Sequence, residues 1–208
     1  MKIAIVTGAS SGMGREFVYA LDSEGKYDEI WVIARRLDRL ESLKTECKTP
    51  IRPIALDLGK AESFDTYRAL LETEKPDVSV LVNCAGFGKF GTYAEIPTEV
   101  ACEMIDLNCK ALVRSTEYTL PYMQAGAHIV ELDSLSSFQP VPYIGVYGAT
   151  KAFVLSYSRA LNVELRPRGI KVMAVCPGWV RTDFFDRAKT DCTDAVTYFN
   201  KMYEAKDV

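Results

Sequence analysis

A single histidine, His128, stands in a chain of 208 residues, and none of the six cysteines falls in a C-x-x-C pair. Structural and catalytic zinc sites are built from His and Cys at short spacing, so no metal centre is expected. Basic residues are not in excess: 25 Lys and Arg stand against 28 Asp and Glu, for a net charge of −3. Phosphate backbones are gripped by concentrated positive charge, which argues against a nucleic-acid partner. No apolar run approaches the roughly 18 residues of a membrane span, so no membrane partner is expected either. The opening run Met1–Val6 stops at Thr7-Gly8, short of the ~7–15-residue core of an export signal. The expectation is therefore a cytoplasmic protein in which Cys47, Cys84, Cys102, Cys109, Cys176 and Cys192 stay reduced. Linker-like stretches, repeats and low-complexity tracts are missing as well. The chain reads as one domain over 1–208, with 183–208 as part of a substrate loop or lid.

What is present is an alternation. Short β-branched runs at Ile3–Thr7, Ile30–Ala34, Ile51–Leu56, Val78–Val82, His128–Leu132 and Ile170–Cys176 are separated by segments of helical period. The helices are expected at Gly12–Ser23, around Leu37, Leu40 and Leu43, at Ser63–Leu71, from Thr98 as N-cap to about Met123, and at about Val146–Leu165. Nearly continuous apolar strands are buried on both faces, which predicts a parallel sheet covered by helices. The fold class is α/β, a single doubly wound, Rossmann-type parallel sheet with helices on both faces. Its ligands are expected beyond the carboxyl ends of the strands.

The first strand runs into Thr7-Gly8-Ala9-Ser10-Ser11-Gly12-Met13-Gly14 and then a helix. Glycines there permit a tight turn and leave room for a pyrophosphate against the helix N-terminus, and Ser10 and Ser11 add hydroxyls. The G-x-x-x-G-x-G spacing is neither the G-x-G-x-x-G fingerprint nor a G-x-x-x-x-G-K-[ST] loop. An ordinary glycine-rich turn is the alternative, disfavoured by placement after the first strand of a parallel sheet.

With this turn the chain resembles the short-chain dehydrogenase/reductase family, and the likeness continues in order. Asn83-Cys84-Ala85-Gly86 resembles the family's N-N-A-G element with Cys for the second Asn. Asn108 falls where the family carries a structural and proton-relay asparagine. Ser134 precedes Tyr147-x-x-x-Lys151 by thirteen residues, and Pro177-Gly178-Trp179-Val180-Arg181-Thr182 follows the sixth strand. The resemblance implies an oxidoreductase that moves a hydride between a nicotinamide and a carbonyl or alcohol. Catalytic roles would fall to Ser134, Tyr147, Lys151 and Asn108, with Ser134 bonding the substrate oxygen and Asn108 holding a water beside Lys151. Cofactor contacts would come from Gly8, Ser10, Ser11, Gly12, Met13, Gly14, Arg35, Arg36, Asp57, Leu58, Asn83, Ala85, Gly86, Tyr147, Lys151, Pro177, Gly178, Val180 and Thr182. A homodimer or homotetramer is implied where the full domain is present.

Among eleven tyrosines only Tyr147 has Lys four residues on, so the two share a helix face. A free tyrosine titrates near 10, and lowering it by ~3 units takes ~4 kcal/mol. One ammonium at ~4 Å, at an effective dielectric of ~20, offers about that before desolvation. Lys151 is therefore expected to depress Tyr147. The second strand ends Ala34-Arg35-Arg36 instead of on an acid, which favours the 2′-phosphate of NADPH over the bare ribose of NADH. Phe87, Phe90, Val141, Tyr143, Trp179, Phe184 and Phe185 lie just after strand ends and suggest an apolar or aromatic carbonyl substrate. His128, Cys84 and Cys109 read as structural, and Ser136 and Ser137 are rivals to Ser134. Two other readings stand: a dinucleotide-binding sensor or scaffold without turnover, and a nucleotide-sugar epimerase, which the glycine spacing disfavours. The family's seventh strand has no counterpart, so the sixth is expected at a sheet edge, and Ala205–Val208 is expected to fall within a helix.

Overall fold

The β-branched runs form six strands in the computed structural model, which describes residues 1–188 and 202–208. They are β1 (Lys2–Thr7), β2 (Glu29–Ala34), β3 (Ile51–Ala55), β4 (Asp77–Asn83), β5 (His128–Leu132) and β6 (Lys171–Val175). All pair in parallel, in the order β3-β2-β1-β4-β5-β6. The helices between them are α1 (Gly12–Glu24), α2 (Leu37–Glu41), α3 (Leu43–Glu46), α4 (Ser63–Glu74), α5 (Thr98–Ile105), α6 (Leu112–Thr119) and α7 (Gly145–Glu164).

The period of two along each strand divides the core into two layers. Ile3, Ile5, Trp31, Ile33, Leu81 and Ile129 pack with Phe64, Tyr67 and Leu71 of α4 and Leu161 of α7. Ala4, Val6, Ile30, Val32, Val82 and Val130 pack with Val18 and Leu21 of α1 and Leu40 of α2 on the other side. Both faces being covered, the strand interiors are mostly apolar and their polar residues sit mainly at the strand ends, with Glu131 a buried exception. The chain leaves β1 toward β2 and β3, then returns to place β4 on β1's other side. That reversal opens a crevice beyond the ends of β1 and β4, where the glycine turn and Cys84-Ala85-Gly86 face each other.

Four local expectations are corrected. The helix expected from Thr98 to Met123 is interrupted by a π-helical segment, Asp106–Ala111, and ends in a 3₁₀ turn, Leu120–Tyr122. Its N-cap is Pro97, and Thr98 is the first helical residue. The segment carrying Leu37, Leu40 and Leu43 breaks at Ser42 into α2 and α3. The end of the chain is not helical in the way expected: Tyr203–Glu204 (β8) pairs in parallel with Val180–Arg181 (β7), and Ala205–Asp207 makes a 3₁₀ turn boxed by Glu204 and Asp207. Between them α8 (Phe184–Ala188) follows β7. Among the described residues β6 is a sheet edge, with Met173 exposed on it. No helix among the described residues is long and apolar enough to cross a membrane. Cys192 lies outside the described residues; the other five cysteines are free thiols.

Candidate active site

The crevice is a cavity of about 500 Å³, within the range of small-molecule and cofactor sites. Its upper end is the glycine turn. Gly8 takes φ +69° and donates its N–H to the Ile33 carbonyl at 2.8 Å. A Cβ there would meet the Cys84 carbonyl and the Ala85 nitrogen at 2.8 Å, and one on Gly14 would strike the Gly8 carbonyl oxygen. The two strand ends approach this closely because neither glycine has a side chain. Thr7 completes the join: its hydroxyl accepts from the backbone N–H of Cys84 at 3.1 Å and of Ala85 at 3.2 Å. Gly8→Ala is expected to lower stability by about 2 kcal/mol, from left-handed backbone plus the collision. Urea unfolding would show it, and an unchanged midpoint would contradict the close approach.

The α1 N-terminus opens on the cavity with no side chain capping it and no acid in its first turn. Its N–H groups and positive dipole end are left for an anion. Arg35 and Arg36 lie at the rim, and Arg36 Nη2 donates to the hydroxyls of Ser10 and Ser11, both at 3.1 Å. Asp57 also lines the cavity, its Oδ1 accepting from the Gly59 N–H at 3.1 Å, with the buried Leu58 beside it. Pro177, Gly178, Val180 and Thr182 also line the cavity, Thr182 against Gly12.

The lower end gathers the reactive groups. Ser134 caps the 3₁₀ turn Leu135–Ser137, accepting from the Ser136 N–H at 3.2 Å, and lines the cavity together with Tyr147. Ser137 is spent on the Ser134 carbonyl at 2.7 Å and does not line the cavity, whereas Ser136, buried, lines it beside Ser134. Tyr147 and Lys151 project from the first turns of α7 into the same cavity. Lys151 Nζ donates to the Leu132 carbonyl at 2.5 Å and lies 5.8 Å from the centre of the Tyr147 ring.

The expected depression of Tyr147 is not what the protein's own groups produce. Burial pushes its phenol up to about 12, the Ser134 hydroxyl pulling down and the Asp133 carboxylate pushing up. Burial likewise lowers Lys151, partly offset by Asp133. The ammonium is held by the Leu132 carbonyl, not by the phenol, and desolvation of the ring outweighs it.

Asn108 is 1% exposed within the π-helical segment, and its amide is engaged by protein. Oδ1 accepts from the Phe87 N–H at 2.9 Å, while Nδ2 donates to the Phe87 carbonyl at 2.8 Å and to Thr150 Oγ1 at 3.0 Å. It thus braces the loop after β4 against α7, beside Lys151. Asn83 is not brought to the cavity: it lies behind the wall, donating to Thr116 Oγ1 at 2.9 Å. Cys84 and Cys109 are pushed up to about 12 and about 11 by burial and behave as packed thiols.

Phe87, Phe90, Val141, Trp179, Phe184 and Phe185 line the cavity, while Tyr143, at φ +66°, is exposed and does not line it. Phe184 packs on Tyr147 with ring centres 5.4 Å apart, and Trp179 on Phe90 at 6.0 Å. Sequence reading missed Asp133, Ile144, Asp183 and Arg39. Ile144 precedes the Tyr147 helix by one residue and was within reach of the same strand-end argument; the others needed the fold.

A glycine-cradled cavity at the reversal point of a parallel sheet, with a tyrosine, a lysine and a serine at its inner end, is the arrangement of a Rossmann-type oxidoreductase. A family model described as short chain dehydrogenase matches residues 2–193, and the chain belongs to that family. An uncharacterised oxidoreductase of Staphylococcus epidermidis is 32% identical over 208 residues, spanning 95% of this chain and 90% of that protein. A short-chain dehydrogenase from Sphingobium yanoikuyae, solved in complex with NADPH, matches with a TM-score of 0.86 at 29% identity, covering 100% of this chain and 81% of that one. The closed form of a serine dehydrogenase complexed with NADP+ matches with a TM-score of 0.84 at 30% identity, covering 99% of this chain and 85% of that one.

Proposed function

We propose that this protein is a cytoplasmic, NADPH-dependent reductase of small apolar or aromatic carbonyl compounds. The observation that carries the reading is the convergence of Ser134, Tyr147 and Lys151 on the inner end of one cavity whose outer end is the glycine turn and Arg36. The cavity fits the dinucleotide: its α1 N-terminus is uncapped and free of acids, and the residue after the second strand's Ala34 is a cation. Gly8, Ser10, Ser11, Gly12, Met13 and Gly14 would hold the pyrophosphate, and Arg35 and Arg36 the 2′-phosphate. Asp57 and Leu58 would border the adenine, and Ala85, Gly86, Pro177, Gly178, Val180 and Thr182 the nicotinamide half. When bound, NADPH supplies the hydride that reaches the carbonyl carbon.

The protein's part is to place the carbonyl and deliver a proton. Ser134 holds the substrate oxygen with its hydroxyl, and Tyr147 O–H donates to that oxygen as negative charge builds on it. A phenol held at about 12 is fully protonated at neutral pH and so loaded as an acid. Lys151 keeps a positive charge near the phenolate left behind, and Asn108 fixes the loop and α7 that carry this geometry. Phe87, Phe90, Trp179 and Phe184 exclude water from the reacting carbon.

Titration of the protein with NADPH and NADH by fluorescence, followed by a panel of aldehydes, ketones and diketones, tests the whole reading. Turnover with NADPH supports it. Tight binding without turnover of any member would favour a dinucleotide-binding sensor instead. Arg36→Ala is expected to weaken NADPH about tenfold, one charge-assisted contact, and to leave NADH within about twofold. Equal losses for both cofactors would remove Arg36 from the 2′-phosphate site.

A further inference from the structure

The Asp183 carboxylate ties together parts of the chain 144 residues apart. Its Oδ2 accepts from Arg39 Nη1 at 2.8 Å and lies 3.8 Å from Arg36 Nη2. Arg36 is at the same time bonded to the Ser10 and Ser11 hydroxyls of the glycine turn. On one side of Asp183, Thr182 covers Gly12, where a Cβ would lie 3.0 Å from the threonine methyl. On the other side Phe184 packs its ring on Tyr147. One short strap therefore has its charged root among the rim arginines and its aromatic tip at the reaction centre.

We propose that Asp183 is a specificity-determining residue: it competes with the 2′-phosphate of the cofactor for Arg36 and Arg39, so that phosphate binding releases the strap that carries Phe184. The inference rests on the NADPH reading above. A carboxylate carries one negative charge, whereas a 2′-phosphate carries nearly two and has three oxygens for the guanidinium groups. A bare ribose hydroxyl is neutral and has no means of displacing the carboxylate, so NADH leaves the strap pinned. Asp183 thereby holds the arginines in reserve and penalises the phosphate-bearing ligand by the strength of the ion pairs it breaks. Those pairs are about half exposed. The penalty is accordingly about two- to fivefold in affinity and shrinks as salt rises.

The test uses fragments that carry the phosphate chemistry without the nicotinamide. Wild type, Asp183→Asn and Asp183→Ala are titrated calorimetrically with adenosine 2′,5′-bisphosphate and with 5′-AMP, at low and high salt. Both variants are expected to bind the bisphosphate about two- to fivefold more tightly than wild type, with 5′-AMP unchanged and the gain reduced in high salt. Backbone amides of Phe184 and Phe185 are expected to exchange hydrogen faster in wild type with bisphosphate bound than with 5′-AMP bound. Bisphosphate affinity that is unchanged or weaker in both variants overturns the competition. A wild-type protein that does not prefer bisphosphate to 5′-AMP overturns the NADPH reading as well, so the two failures are distinguishable.

Discussion

Tyr147→Phe is expected to reduce carbonyl turnover by about 10³-fold while leaving the Kd for NADPH within about twofold, because proton delivery by one positioned acid contributes on that scale. The substitution removes one oxygen and keeps the ring, so the packing against Phe184 and the inner cavity wall survives. Ser134 remains anchored as the cap of its 3₁₀ turn by the Ser136 N–H. The pH profile carries a second part of the same expectation. With Tyr147 held at about 12, its protonated fraction is flat across neutral pH, so reduction is not limited by this group until strongly alkaline conditions. Alcohol oxidation requires the phenolate, and its rate is expected to rise about tenfold per pH unit below that value. Single-turnover kinetics with NADPH, and initial rates of oxidation from pH 7 to 10, would check both parts. Residual activity above a tenth of wild type in Tyr147→Phe would remove the tyrosine from proton transfer.

The sequence exposed those parts of the molecule whose cause is local. The inner strands β1, β2, β4 and β5 are runs that pack on both faces, and hydrophobic continuity reveals them without knowledge of their neighbours. The glycine turn, Tyr147 and Lys151 are legible because their spacing follows from a strand end and one helix face. What was not legible depends on long-range partners. The π-helical break at Asp106–Ala111 lies in a segment of ordinary helical period, where the Asn108 amide joins the distant Phe87 backbone and Thr150. Arg39 and Asp183 meet only after the sheet is closed. The depression expected of Tyr147 assumed a short path to the ammonium, whereas Lys151 turns to the Leu132 carbonyl. Asn83 could have been placed by parity: Leu81 faces the α4 and α6 layer, so Asn83, two residues on, faces the same layer and away from the glycine turn.

The same parity buries Glu131, and here the largest stability effect is expected. Ile129 packs in the α4 and α6 layer, so Glu131 points there too, and it is 0% exposed. The Thr116 hydroxyl accepts from Asn83 and donates to Glu131 Oε1 at 3.0 Å, but Glu131 Oε2 and Asn83 Oδ1 have no hydrogen-bond partner. Burial pushes the carboxyl up to about 7, with Asp133 adding to the rise and Thr116, Asn83 and Lys151 opposing it. The folded protein therefore keeps a proton on Glu131 after the unfolded chain has lost it. Stability from this group is fully present below the unfolded value of 4.5, declines as pH rises, and is lost above about 7. Glu131→Gln keeps the shape and the Thr116 bond, cannot ionise, and supplies an amide donor beside Asn83. Relative to wild type it is expected to gain roughly 3 kcal/mol at pH 8.5 and little at pH 4.5, the difference growing between those values. For a chain of this size that is a Tm gain of roughly 6–12 °C at the alkaline end. Thermal unfolding of both proteins from pH 4.5 to 8.5 would measure it. A stability difference independent of pH would mean that Glu131 is already ionised in the fold, with its charge compensated by Lys151.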